Sequence, residues 1–260
     1  MAHWAAVAAL GLAIGVFSGL FGVGGSSIST PLLRIIFQTP PLIALASPLP
    51  VTLPTAAAGA AVYQSQKLIN MRVVAWTAAG GVPSIVAGAL LTRWVSPRGL
   101  MVMVGAAILV IGLEMIRSAT RPNASTSPRA GGHLWGDAPA DKLVAVAVPI
   151  GFLSGLLANG GGFLFVPAFV LLFGANVRQA AATSLPCVAL LALPGTITHA
   201  ALGHVDGWLS FQLSLGVIPG TYLGARLSLW LRHVRLRRPF GVFMAAFGLY
   251  YFLRELLKLI

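Results

Sequence analysis

The chain has 260 residues, 57% of them hydrophobic and 8% charged, with a net charge of +12 and a mean hydropathy of +0.89. A water-soluble domain carries about 25% charged residues, so water is not the solvent for most of this surface. The basic residues gather at the ends of apolar blocks, among them Arg34, Lys67, Arg72, Arg93 and Arg98. That placement suits topology signals and anionic lipid headgroups, and it leaves no basic face for nucleic acid.

In chain order the apolar blocks cover 3–37, interrupted by glycines, then 42–63, 73–91 and 99–116; after a polar stretch come 143–173, 180–202, 208–231 and 239–256. A helix crossing the hydrocarbon core needs about 20 mostly apolar residues, and these blocks supply that length. Strand-like alternation is absent from the sequence, which excludes an outer-membrane barrel. The sequence therefore predicts an all-α, multi-pass protein of the cell inner membrane. It divides into a first transmembrane repeat (1–117), a polar extramembrane linker rich in Pro, Ser, Thr and Gly (118–141) and a second transmembrane repeat (142–260). Residues 1–22 read as a membrane segment and not as a cleaved signal, because no Lys or Arg precedes the apolar run. The single cysteine, Cys187, allows neither an intrachain disulfide nor a Cys-based metal cluster, and no cofactor is implied.

A shift of 136 residues lays the second half on the first without a gap. The run Gly15-Val-Phe-Ser-Gly-Leu-Phe-Gly-Val-Gly-Gly25 matches Gly151-Phe-Leu-Ser-Gly-Leu-Leu-Ala-Asn-Gly-Gly161. Identities continue at Pro31/Pro167, Leu49/Leu185, Pro50/Pro186, Gly80/Gly216, Gly88/Gly224, Trp94/Trp230 and Gly112/Gly248. Most shared residues are Gly and Pro, which encode backbone geometry, whereas chance matches between apolar stretches would favour Leu and Ala. Duplication is the simpler reading.

At these glycine clusters the sequence resembles the TauE/SafE-type sulfite exporter family, which carries two copies of a Gly-Phe-x-Ser-Gly-x-x-Gly-x-Gly-Gly-like signature. The resemblance extends over both halves and includes Thr183-Ser-Leu, Thr198-His-Ala, Val205-Asp-Gly-Trp208 and Leu223-Gly-Ala-Arg226. Two departures stand at the clusters: Ser26 replaces a third glycine in the first copy, and Asn159 replaces an apolar residue in the second. The resemblance implies a membrane transporter of sulfite, sulfonates or related anions. The implied partners are a small anion and the lipid bilayer, with a homodimer also admissible.

The residues support anion binding on their own terms. Gly24, Gly25, Ser26 and Ser27 in the first half, and Asn159, Gly160, Gly161 and Gly162 in the second, fall inside long apolar blocks. Each glycine disfavours a helix interior by about 1 kcal/mol relative to alanine. Unwound backbone at membrane depth is tolerated only against protein or a polar cavity. A helix restarting at Ser26 or Phe163 presents unpaired N–H groups and the positive end of its dipole. Ser26 or Ser27 is expected to cap one restart, and Asn159 to end the preceding helix in a left-handed conformation. Two such ends meeting between the halves would hold an anion without a buried Lys or Arg. Tight helix packing by small residues is the bland alternative.

Prolines in Ser47-Pro-Leu-Pro50-Val-Thr-Leu-Pro54 and Thr183-Ser-Leu-Pro186 each remove a donor, so both helices are expected to kink or break. Ser47, Thr52, Thr183 and Ser184 can then lend hydroxyls to the cavity or satisfy the freed backbone. His199 and Arg226 are the ionisable residues nearest mid-block. For His199 the choices are proton coupling or a structural hydrogen bond, and for Arg226 an anion ligand or a headgroup anchor. No zinc helix, nucleophile elbow, phosphate loop or carboxylate pair is present in the sequence, so the chain does not read as an enzyme. An accessory or assembly protein without transport activity is the main rival to a transporter, and a membrane-embedded enzyme is the lesser one.

Loop charge bears on orientation. If each broken block spans the membrane, basic residues divide evenly between the two sides. If each is a re-entrant hairpin, the repeats are inverted, and Lys67, Arg72, Arg117, Lys142 and Arg178 join the larger basic set. The positive-inside rule then places the linker in the cytoplasm and both termini outside.

Overall fold

The computed structural model describes residues 2–21, 25–120, 138–230 and 237–257. They form eleven α-helices and, among the described residues, no strand. The first half holds α1 (Ala2–Phe21), α2 (Ser26–Ile36), α3 (Pro41–Ala46), α4 (Pro48–Gln64), α5 (Met71–Leu91) and α6 (Pro97–Thr120). The second holds α7 (Ala140–Leu156), α8 (Gly162–Phe173), α9 (Val177–Ala201), α10 (Gly207–Trp230) and α11 (Arg237–Leu257). Most of the polar linker lies outside the described residues.

Local chemistry sets these boundaries. Pro41, Pro48 and Pro97 open their helices, where a missing N–H is harmless. Asn70 caps α5 by accepting from the Val73 N–H, and Asn176 forms a reciprocal capping box with Gln179 at α9. Gly174 closes α8 in the left-handed conformation at φ 70°. The proline clusters behave differently in the two halves. Three prolines within seven residues split α3 from α4 at Ser47, whereas α9 runs unbroken through Pro186 and Pro194. A lone proline removes one ladder bond, and a 25-residue helix survives that loss. Of the kink or break expected at Thr183–Pro186, the break does not occur.

Four stretches, Pro41–Gln64, Met71–Leu91, Pro97–Arg117 and Arg178–Ala201, are long and apolar enough to cross a membrane. The polar and apolar residues are distributed as lipid requires. Ser18, Ser26, Ser29, Thr52, Thr55, Ser154 and Thr221 are buried, while Leu190, Leu193 and Ile197 of α9 and Phe211, Leu215 and Leu223 of α10 are exposed. This is an all-α, multi-pass membrane protein.

Glycines set the packing. Gly11, Gly15 and Gly19 of α1 meet Leu213, Val217 and Thr221 of α10 in turn, so the two helices run parallel. A Cβ at Gly216 would stand 1.8 Å from the Ala8 carbonyl oxygen, a distance only glycine permits. The pairing of α5 with α7 mirrors that of α1 with α10: a Cβ at Gly88 would lie 2.0 Å from the Phe152 carbonyl oxygen. Helices α6 and α11, which correspond at the 136-residue shift, run antiparallel, with Gly105 against Phe252 and Gly112 against Ala245. So do α4 and α9, with Gly59 against Leu185 and Gly195 against Leu49. Both of these pairs, equated by the 136-residue shift, are antiparallel.

In the first glycine-broken block α2 starts alongside the last turns of α1. The Gly25 N–H, just before α2, donates to Ser18 Oγ of α1 at 3.0 Å, and a Cβ at Gly25 would touch Ile14. At a rise of 1.5 Å per residue, α1 is about 30 Å long and α2 about 16 Å. A long helix is thus followed by a shorter one.

Candidate functional site

The two glycine breaks meet. Ser26, the first residue of α2, places its hydroxyl 2.8 Å from both the carbonyl oxygen and Oδ1 of Asn159, in the loop before α8. Ser26 is 1% exposed and Asn159 3%. This contact joins residues 133 positions apart and brings the start of one half-helix against the loop leading into the other.

The local geometry departs from the sequence expectations in two ways. Gly25, not a serine, occupies the N-cap of α2, and no side chain caps that end. The Ser26 hydroxyl is spent on the other half of the protein instead. The left-handed residue after α7 is Ala158, at φ 45°, and not Asn159. Because Ala158 makes the turn, the Asn159 side chain is available to Ser26. Gly160 and Gly161 continue the turn at φ 61° and 81°, and α8 restarts at Gly162, one residue before Phe163. Gly24 lies outside the described residues, and Ser27 falls in α2 with its side chain outside them.

A narrow seam beside this contact is lined by Gly25, Ser26, Ser29, Pro48, Val51, Thr52, Thr55 and Val217. Thr52 also reaches the second break, its Oγ1 standing 3.7 Å from where a Gly160 Cβ would be. Most seam hydroxyls donate into their own helices: Ser29 to the Gly25 carbonyl at 2.7 Å, Thr52 to Leu49 at 2.6 Å and Thr55 to Val51 at 2.6 Å. An arriving anion would have to rotate them, and the Ser26 hydroxyl as well, since it already donates to Asn159. Ser29 and Thr55 are absent from the sequence-derived site, although the spacing of three residues in Ser26/Ser29 and Thr52/Thr55 marks one helical face.

Other named residues lie elsewhere. Ser47 Oγ accepts from the Asp206 N–H at 2.9 Å, and Thr183 Oγ1 from the Asn70 N–H at 3.1 Å. These are the same bond at the 136-residue shift, fastening the turn before α10 to the first half and the turn before α5 to the second. Ser184 donates to the Ala181 carbonyl at 2.9 Å. His199 is fully buried, with Nε2 2.8 Å from the Gly155 carbonyl oxygen and Nδ1 3.3 Å from His204. Its counterpart Tyr63 makes the equivalent bond, donating to the Gly19 carbonyl at 3.0 Å. The same role filled by tyrosine and histidine favours a structural bond over proton coupling. In the loop after α9, burial holds the His204 imidazole below its usual range.

Arg226 faces outward from α10, its guanidinium 4.6 Å above the Tyr222 ring, and does not reach the seam. The Arg226→Gln protein should therefore keep its anion affinity within about threefold, since only exposed contacts are lost. A binding titration on purified protein measures this, and complete loss with the fold preserved would make Arg226 a principal ligand.

The comparisons with known proteins agree with this architecture. The model of the family described as Sulfite exporter TauE/SafE matches residues 7–251. The Bacillus subtilis (strain 168) protein named "Probable membrane transporter protein YjnA" is 31% identical over 235 residues, covering 84% of this chain and 88% of that protein. A second from that organism, "Probable membrane transporter protein YunE", is 29% identical over 234 residues, covering 84% of each. A "Probable membrane transporter protein" of Xylella fastidiosa (strain 9a5c) is 28% identical over 251 residues, covering 95% and 94%. No solved structure matches. With nearly its whole length matched and its relatives named as transporters, not enzymes, the chain belongs to the sulfite exporter TauE/SafE family.

Proposed function

We propose that the protein carries a small oxyanion, sulfite or an organosulfonate, outward across the cell inner membrane. On this reading, substrate is held between inverted halves at the paired glycine breaks. The observation that carries it is the buried Ser26–Asn159 contact, which joins the two breaks across the halves. Helix N-termini with hydroxyl and amide donors suit a compact anion, whose charge the positive dipole ends stabilise. The seam is narrow, so passage requires the halves to move, and inverted halves suit alternating access around a central site. Membrane potential alone favours anion efflux by about 2.3 kcal/mol per charge per 100 mV, so export needs no buried acid and no ATPase.

Counterflow of labelled sulfite into liposomes containing the purified protein tests the substrate class. Unlabelled sulfite and short alkylsulfonates should compete, and an uncharged sulfone should not. Equal competition by the sulfone, or no exchange, would remove the anion assignment. Orientation has its own test in a Cys187→Ala background. Ser65→Cys and Ala201→Cys occupy equivalent, exposed positions at the ends of α4 and α9. Impermeant reagents should label them from opposite sides of the membrane; labelling from one side would mean parallel halves.

A further inference from the structure

The halves differ in the buried charge that one face carries. Near the end of α2 the Arg34 guanidinium donates to the Thr39 carbonyl at 2.9 Å and reaches the Glu255 carboxylate of α11 at 3.5 Å. The Glu255 side chain is 1% exposed and that of Arg34 15%, so screening by solvent is weak. Arg254 stands 3.9 Å from the other Glu255 oxygen, and the Tyr251 hydroxyl lies beside Arg34. The positions that correspond at the 136-residue shift are Val170 for Arg34 and Ala119 for Glu255. These two positions therefore cannot form the equivalent ion pair.

We infer that the Arg34–Glu255 pair is a latch that fastens half-helix α2 to the α6–α11 pair on one face and keeps the seam closed there. The inference rests on the alternating-access reading. Helix α2 carries Ser26 and Ser29 at its inner end and Arg34 at its outer end, so a seam opening beside α2 must pull on Arg34. Helices α6 and α11 make a stiff support, because Gly105, Gly112, Gly241 and Gly248 bring their backbones together. Two inverted halves of equal chemistry would close either face with similar free energy. A buried pair that the repeat-equivalent positions cannot reproduce shifts that balance toward closure on its own face. Neutralising either partner breaks the bridge between α2 and α11, because the remaining Arg254–Glu255 contact lies within α11 and cannot hold α2.

Labelling at position 29 tests this. Ser29→Cys, in a Cys187→Ala background, is placed in sealed vesicles of known orientation and exposed to an impermeant thiol reagent from each face. Glu255→Gln and Arg34→Gln should each raise the labelling rate from the Arg34 face by about tenfold or more, with no rise from the other face. Arg34→Lys, which keeps the charge, should stay within about threefold of the parent. Unchanged labelling in the two neutral variants, or an equal rise from both faces, overturns the latch. If Glu255→Gln does not fold, Arg34→Gln against Arg34→Lys decides, and equal rates in those two overturn it. Sulfite flux in separate vesicles with Ser29 intact separates the two ideas: normal flux with unchanged labelling removes the latch alone, whereas no flux in the unsubstituted protein removes the transport reading.

Discussion

Asn159→Leu is expected to lower anion flux by about 10- to 150-fold, the loss that corresponds to one hydrogen bond to a charged partner of about 1.5–3 kcal/mol. Leucine keeps the γ-branching and heavy-atom count of asparagine, though it is bulkier, so folding is checked alongside flux. What disappears is the amide that meets Ser26 at 2.8 Å between the halves. The first copy of the signature already has an apolar residue, Val23, at the corresponding position, so the change makes the second break resemble the first. Flux per folded protein, with the elution profile in detergent as the check on folding, is the measurement. Flux at the parent level would remove Asn159 from the site and with it the role assigned to the paired breaks.

Gly216→Leu should prevent α1 and α10 from docking. A Cβ there would lie 1.8 Å from the Ala8 carbonyl oxygen, and the obstructing atom is backbone, which cannot swing aside. Overpacking against side chains costs about 1–3 kcal/mol, and a backbone clash sits at or above the top of that range. For a chain of this size, about 3 kcal/mol corresponds to a Tm lowered by about 6–12 °C, and failure to accumulate folded protein is the stronger outcome. Gly88→Leu should behave alike, because it meets the Phe152 carbonyl oxygen at 2.0 Å in the mirrored α5–α7 pair. Gly207→Ala is the control: nothing lies within 4 Å of its Cβ position, and its Tm should stay near the parent. A stable, folded Gly216→Leu protein would mean that the helices do not approach as described.

Much of the fold was readable because Gly and Pro report backbone geometry directly. The glycine clusters mark where α1 and α7 end, and the 136-residue shift places the restarts at Ser26 and Gly162 in register. Ser26 and Asn159 stood out as the polar departures from the repeated signature, and they are the residues that touch. Side-chain partners far apart in the chain were not readable. Ser47 and Thr183 sit beside prolines in apolar helices, as cavity hydroxyls would, yet each accepts from a turn in the other half. A hydroxyl reads the same in sequence whether it serves a ligand or a loop. For His199 a signal existed, since the shift aligns it with Tyr63, and a hydrogen bond common to both residue types favours a structural purpose. For Arg226 the helical face was the signal, because Gly220 and Gly224 pack against α1 and Arg226 lies with Tyr222 on the other side. The Arg34–Glu255 pair spans 221 residues and has no counterpart in the repeat, so nothing local announced it.

Potential-driven flux by the purified chain tests the central claim most directly. Liposomes containing only this protein are loaded with sulfite, and a potassium gradient with valinomycin sets an inside-negative potential. At 100 mV the driving force of about 2.3 kcal/mol per charge corresponds to an equilibrium ratio of about fiftyfold. Sulfite efflux should rise steeply with the imposed potential, reverse when the potential is reversed, and fall in the Asn159→Leu protein. Efflux no faster than from protein-free liposomes, at any potential, would contradict transport by this chain.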